Sequence, residues 1–261
     1  MTLIRSITFK GRKFSAFRGK HQKRMCQSIT VGGKTYKTDD WTNLTETILK
    51  KIPQKLYLKE NHPLSLLRLK IKQFYSDFFE PRSKDIKVFE ELPEIVSTYD
   101  NFDSLLVPET HPSRSPQDNY YINSSTLMRA HTTCHYADLF KNGIKQFMIF
   151  GDVYRRDQID RCHYPVFHQM DFVELFKNTL DSPKNESFIV DSLQNNFESL
   201  IKYLLGDRVK IRWVEGFFPF TNPSFEMEIS FLGDNPQEWM EILGCGVIRQ
   251  EILDRCILGI N

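Results

Sequence analysis

Tyr154-Arg155-Arg156-Asp157 sets two guanidinium groups and a carboxylate at the end of an apolar run, and Phe167-His-Gln-Met-Asp171 follows shortly after. Two adjacent arginines followed by an acid can bind a phosphate bidentately while the acid orients one of them. Gln169 and Asp171 lie two residues apart, so on a strand they share one face. An amide beside a carboxylate suits a small ligand that carries an ammonium group. Phosphate on one side and an amine on the other is the chemistry of activating an amino acid with a nucleotide. The plainer reading of the arginines is a charged strand end facing water. No Walker loop or G-x-G-x-x-G occurs, so a nucleotide would bind without a glycine-rich cradle.

Three other groupings have chemical and structural readings. His131 and His135 are four apart and would meet at a metal on a helix, but no carboxylate stands between them as a zinc peptidase needs. Substrate contact or ordinary packing is the alternative. Glu226 and Glu228 alternate along an apolar strand pattern and offer oxygen ligands to Mg²⁺, or simply a solvated face. Phe217-Phe-Pro-Phe220 reads as core, or as an aromatic pocket wall in which Pro219 interrupts the ladder and keeps two rings close.

The elements that must hold these groups follow from periodicity. Asn61-His-Pro63 opens a helix whose apolar positions, from Leu64 through Ile71 to Phe78, recur at helical spacing over about 63–79, with Glu80-Pro81 ending it. Residues 102–121 hold three prolines among Asp, Ser and Asn and read as loop. A strand is expected over 146–154 and its antiparallel partner over 166–176. A second helix is expected over 192–205, closed by Gly206. Val209, Ile211 and Trp213, then Phe225, Met227 and Ile229, alternate with charged residues and read as half-buried antiparallel strands. Helices early and strands late give an α+β fold around an antiparallel sheet.

At 261 residues, with 40% hydrophobic and 26% charged residues, the chain has the composition of an ordinary globular protein. No apolar run is long enough for a membrane span. Five scattered cysteines without a C-x-x-C pair argue against a zinc finger or a disulfide framework and fit a reducing compartment. The net charge of +2 conceals an asymmetry: residues 1–38 carry ten Lys or Arg and no acid, leaving an acidic body. With its Ser, Thr and interspersed apolar residues this leader reads as a mitochondrial transit peptide. A basic nucleic-acid-binding arm is the rival.

Six blocks, taken together, resemble the phenylalanyl-tRNA synthetase family, in particular its single-chain mitochondrial form. They are Asn119-Tyr-Tyr, Leu127-Met-Arg-Ala-His-Thr-Thr133, Gly151 to Asp160, His163 to Gln169, Phe218 to Glu228, and Glu241-Ile-Leu-Gly-Cys-Gly246. They run in order over about 61–248. The resemblance implies a class II synthetase core, an antiparallel sheet flanked by helices. Such a core joins phenylalanine to ATP, releases pyrophosphate and esterifies tRNA(Phe), here in the mitochondrial matrix and as a monomer.

By that resemblance Arg155 is the catalytic residue, holding the α-phosphate where electrostatics does most of the work. Asp157, Cys162, His163, Tyr164, Phe167 and Glu241 belong to the ATP site, Phe167 stacking on adenine and Glu241 lying near Mg²⁺. His131, Thr133, Cys134, His135, Tyr136, Gln169, Met170 and Asp171 belong to the phenylalanine site. In it Phe218 and Phe220 pack edge-to-face on the substrate ring. The family usually has Glu where this chain has Asp171, and Ser where it has Thr133.

A glycine-rich strand and helix bearing an adenine-covering arginine is expected after Gly246, followed by an anticodon-binding domain. The chain instead runs from Val247 to Asn261. A core lacking that strand and helix is expected to expose apolar surface and lose more than the usual total stability of about 5–15 kcal/mol. It would then act, if at all, as a phenylalanine- or tRNA-binding module.

Overall fold

Period-two patterning in the second half of the chain becomes a broad antiparallel sheet in the computed structural model, which describes residues 3–8, 28–78, 86–160, 163–176, 186–231 and 239–258. Strand β1 (Leu3–Thr8) precedes a hairpin of β2 (Ser28–Val31) and β3 (Lys34–Lys37). Helices α1 (Glu46–Leu49) and α2 (Pro63–Phe78) come next, then strands β4 (Lys87–Phe89) and β5 (Ile95–Ser97) and helix α3 (Thr98–Asn101). Past the proline-bearing stretch, β6 (Tyr121–Asn123), β7 (Thr126–Met128) and α4 (Tyr136–Lys141) lead to β8 (Gln146–Tyr154) and β9 (Val166–Glu174). The remainder holds α5 (Glu186–Leu205), β10 (Val209–Glu215), β11 (Thr221–Phe231), β12 (Met240–Ile248) and α6 (Gln250–Leu253).

Seven strands form one sheet in the order β10-β11-β12-β1-β9-β8-β4, antiparallel throughout except where β4 runs parallel to β8. The α+β class expected from the sequence is therefore the one observed. β5, β7 and β6 make a smaller antiparallel sheet beside it.

Register decides which side chains meet. Opposite residues of β8 and β9 share a face: Met148 with Phe172, Phe150 with Met170, and Asp152 with His168 on one side. That side is covered by α2 and α5. Tyr75 of α2 stacks on Phe172 with ring centroids 4.4 Å apart, and Ile189, Leu193, Phe197 and Leu200 of α5 are wholly buried in the same cluster. Each such side chain contributes about 1.5–3 kcal/mol by leaving water. α5 starts at Glu186 rather than near Ser192 because Ile189 already belongs to the buried stripe. The other face of β8 and β9 is left for the 132–135 turn and α4.

β1 and the β2–β3 hairpin both fall within the stretch read from the sequence as a leader. β1 lies inside the sheet, its Ser6 opposite both Gly244 of β12 and Asp171 of β9. Residues 28–37, inside the expected leader, form the β2–β3 hairpin, and Val31 is buried against Ile48, Ile52 and Tyr154. Among the described residues no helix is long and apolar enough to cross a membrane.

Candidate active site

Gln169 and Asp171 share the face of β9 that looks away from α2 and α5, as their spacing requires. Both are buried, Asp171 completely. Gln169 Nε2 donates to Asp171 Oδ1 at 2.9 Å. The 3₁₀ turn Thr132–His135 sits over this pair: Thr132 N–H donates to Gln169 Oε1 at 3.4 Å, and Thr133 Oγ1 donates to Asp171 Oδ2 at 3.4 Å. Tyr136, first residue of α4, donates its hydroxyl to the same Oδ2 at 2.8 Å. Side chains from β9, the turn and α4 thus converge on one carboxylate.

Arg155 follows the last residue of β8 and enters the same face. Its Nε donates to the Ala130 carbonyl at 2.9 Å, and its guanidinium lies 5.0 Å from the centroid of Phe167. Burial lowers its pKa, while the charges of Asp157 and Glu241 act the other way. No carboxylate among the described residues is in ion-pair contact with it. The site thus holds a partly buried cation beside an aromatic ring. Arg156 does not join it. Neighbouring residues on an extended chain point to opposite sides, and Arg156 donates to the Pro116 carbonyl at the surface. The bidentate arginine pair expected from the sequence is a single arginine, and Asp157 is exposed at the mouth. His163 bonds Asp160 and Tyr164 lies under Lys51, both in the loop beyond. Cys162 lies outside the described residues.

The aromatic wall comes from the turn before β11. Phe218 and Phe220 are half-buried and stacked, centroids 5.9 Å apart at 17°, and His131 lies 6.2 Å from Phe220. Phe217 is 72% exposed and takes no part. Phe218 rests on the backbone of β12 at Gly244, where a Cβ would stand 2.4 Å from its ring. Pro219 lies in the turn ahead of the strand rather than in the ladder.

Carboxylate, amide, partly buried cation and aromatic wall thus converge on one sheet face, and the model of the tRNA synthetases class II core domain (F) matches residues 86–261. The chain belongs to that family. This class II core is also similar to the mitochondrial phenylalanine–tRNA ligase of Mus musculus, 40% identical over 254 residues, covering 87% of this chain and 55% of that protein. The chloroplastic/mitochondrial phenylalanine–tRNA ligase of Arabidopsis thaliana is 39% identical over 252 residues, covering 93% and 57%. The phenylalanine–tRNA ligase alpha subunit of Ureaplasma urealyticum is 37% identical over 172 residues, covering 62% and 49%. The chain spans about half the length of these curated relatives.

Several residues expected in the phenylalanine site of this class II core stand elsewhere. Met170 points to the opposite face from its neighbours and packs in the α2/α5 core. Cys134 is buried among Val96, Phe102 and Leu105, its thiol donating to the His131 carbonyl, and burial raises its pKa. His135 faces Arg129 at 3.1 Å. Burial, helped by that positive charge, pushes its pKa down to about 3, so it is neutral. His131 instead bonds the Asn101 carbonyl through Nε2, so the two histidines do not form a metal pair. No cluster of three His, Cys, Asp or Glu able to hold a metal occurs among the described residues. Glu228 is engaged by Arg212 Nε at 2.6 Å. A cavity of about 320 Å³ behind the turn, lined in part by Tyr36, Asp100, Cys134, His135 and Asp138, does not include Gln169, Asp171 or Arg155.

The role of Arg129 was not legible. It is 1% exposed, donates through Nε to the Asp152 carbonyl at 2.7 Å and through Nη1 to the Leu92 carbonyl at 3.1 Å, and so pins the turn to β8. Gly151 admits it, since a Cβ there would stand 2.0 Å from Nη2. A glycine inside a strand is the sequence signal for such a close approach.

Proposed function

We propose that this class II core binds phenylalanine and ATP and forms phenylalanyl-adenylate, as the activating half of a mitochondrial phenylalanine–tRNA ligase acting on tRNA(Phe). The observation that carries the reading is the short stretch Ala130–Thr133. Its first carbonyl holds Arg155 and its last hydroxyl holds Asp171. Three residues span at most about 11 Å, so a cation for phosphate and an anion for ammonium lie within reach of one aminoacyl-phosphate.

In this reading Asp171 and Gln169 take the substrate ammonium, and His131 with the Phe218–Phe220 wall encloses the ring. The substrate carboxylate oxygen attacks the α-phosphorus, the bond to pyrophosphate breaks, and Arg155 balances the charge that grows on the α-phosphate oxygens. Phe167 offers adenine a stacking face. His163 and Tyr164 belong to the covering loop, and Asp157 stands at its mouth. Among the described residues no three metal-ligating side chains gather, and an Mg²⁺ ion would be held mainly by substrate phosphates. Glu241 would hold Mg²⁺ there, and the ion would neutralise phosphate charge. The basic leader is a mitochondrial import segment in this reading. The enzyme works as a monomer in the matrix.

Thermal shift tests the amino-acid half. Phenylalanine is expected to raise the melting temperature, leucine is not, and Asp171→Asn is expected to weaken phenylalanine at least tenfold by removing the anion. Equal shifts with phenylalanine and leucine would overturn the assignment.

A further inference from the structure

The carboxylate of Asp171 is held from more than one element. Gln169 of β9 fixes Oδ1, while Thr133 and Tyr136 both donate to Oδ2, Tyr136 at the shorter distance of 2.8 Å. The carboxylate torsion of an aspartate is broad and roughly two-fold, so Gln169 alone does not fix the plane. Tyr136 approaches from the core side: it is wholly buried, with Phe147 and Phe140 ring centroids 5.5 and 6.0 Å away. Burial and the charge of Asp171 raise its pKa well above the ordinary phenol value. The phenol therefore keeps its proton and serves as a donor.

We propose that Tyr136 is a positioning residue: its hydroxyl, bonded to Asp171 Oδ2 from the core side, sets the carboxylate's orientation for the substrate ammonium without itself touching substrate. This deepens the phenylalanine reading and rests on it. The Tyr136 phenol gives the carboxylate a second contact besides that of Gln169. The ring is held by packing, so little side-chain freedom is lost when the bond forms.

The test compares three ligands on the full chain by titration calorimetry: L-phenylalanine, phenylalaninol (amine without carboxylate) and 3-phenylpropionate (carboxylate without amine). Tyr136→Phe keeps the ring and removes only the donor. It is expected to raise the Kd of both amine ligands about ten- to a hundredfold, the range of a hydrogen bond to a charged group, and to leave 3-phenylpropionate unchanged. In an Asp171→Asn background the same change is expected to add nothing for the amine ligands. Tyr136→Gln, which keeps a donor on a smaller side chain, is expected to fall between parent and Tyr136→Phe, and it serves if the phenylalanine variant does not fold. Equal weakening of all three ligands, or no weakening, would overturn the role of Tyr136. A parent protein that binds neither amine ligand would instead refute the phenylalanine reading itself.

Discussion

Gly151→Ala tests whether Arg129 is the fixed pin between the 132–135 turn and β8. The new Cβ would stand 2.0 Å from Nη2 and 2.8 Å from Cζ, well inside the 3.0 Å that real contacts respect, so the guanidinium must retreat by about 1 Å or more. It has little room: Nε holds the Asp152 carbonyl at 2.7 Å, and Nη1 holds Leu92 and His135 at 3.1 Å each. A hydrogen bond to a charged group is worth about 1.5–3 kcal/mol, so losing two costs about 3–6 kcal/mol. At about 2–4 °C per kcal/mol for a chain of this size, the melting temperature should fall by roughly 6–24 °C. Differential scanning calorimetry reads the shift. In an Arg129→Met background the same Gly151→Ala change should cost under about 1 kcal/mol, because the colliding group is gone. A single variant melting within about 2 °C of the parent would refute the claim that Arg129 is locked.

His135 gives a pH dependence. Its folded pKa of about 3 lies below the ordinary 6.5, so between those values the unfolded chain binds a proton that the folded chain refuses. Stability from this group is therefore complete above pH 6.5 and falls by about 1.4 kcal/mol per unit as pH drops toward 3. Urea denaturation at several pH values should show His135→Gln lacking about one proton of that dependence. Gly244→Ala should lift Phe218, whose ring would lie 2.4 Å from the added Cβ, and disturb the Phe218–Phe220 stack. Because Phe218 is only half-buried, the melt should change little while the Kd for phenylalanine rises about tenfold, the lower end of what one methyl group does in an apolar pocket.

Periodicity made the scaffold legible. The stripe from Leu64 to Phe78 became α2, and the alternation from Val209 to Ile229 became β10 and β11, because these patterns report directly which face is buried. The Gln169–Asp171 pair was readable for the same reason. That rule, applied more strictly, also separates Arg155 from Arg156 and Met170 from Asp171, since adjacent strand residues face opposite ways. What periodicity cannot carry is contact between distant segments. The Tyr136 hydroxyl reaches Asp171 only because α4 packs on β8 and β9, and Arg129 finds room only because Gly151 is opposite. β1 was invisible for another reason. Its composition resembles a targeting segment, and the place it fills depends on the edges that β9 and β12 present.

Phenylalanine-dependent exchange of pyrophosphate into ATP by the full chain tests the central claim most directly, because it requires the ammonium site and Arg155 to act on one molecule. Exchange is expected with phenylalanine, is expected to be absent without it, and is expected to fall at least a hundredfold in Arg155→Ala, the scale of removing one transition-state donor. No exchange under conditions where phenylalanine still raises the melting temperature would contradict the adenylate-forming claim and leave an amino-acid binding pocket alone.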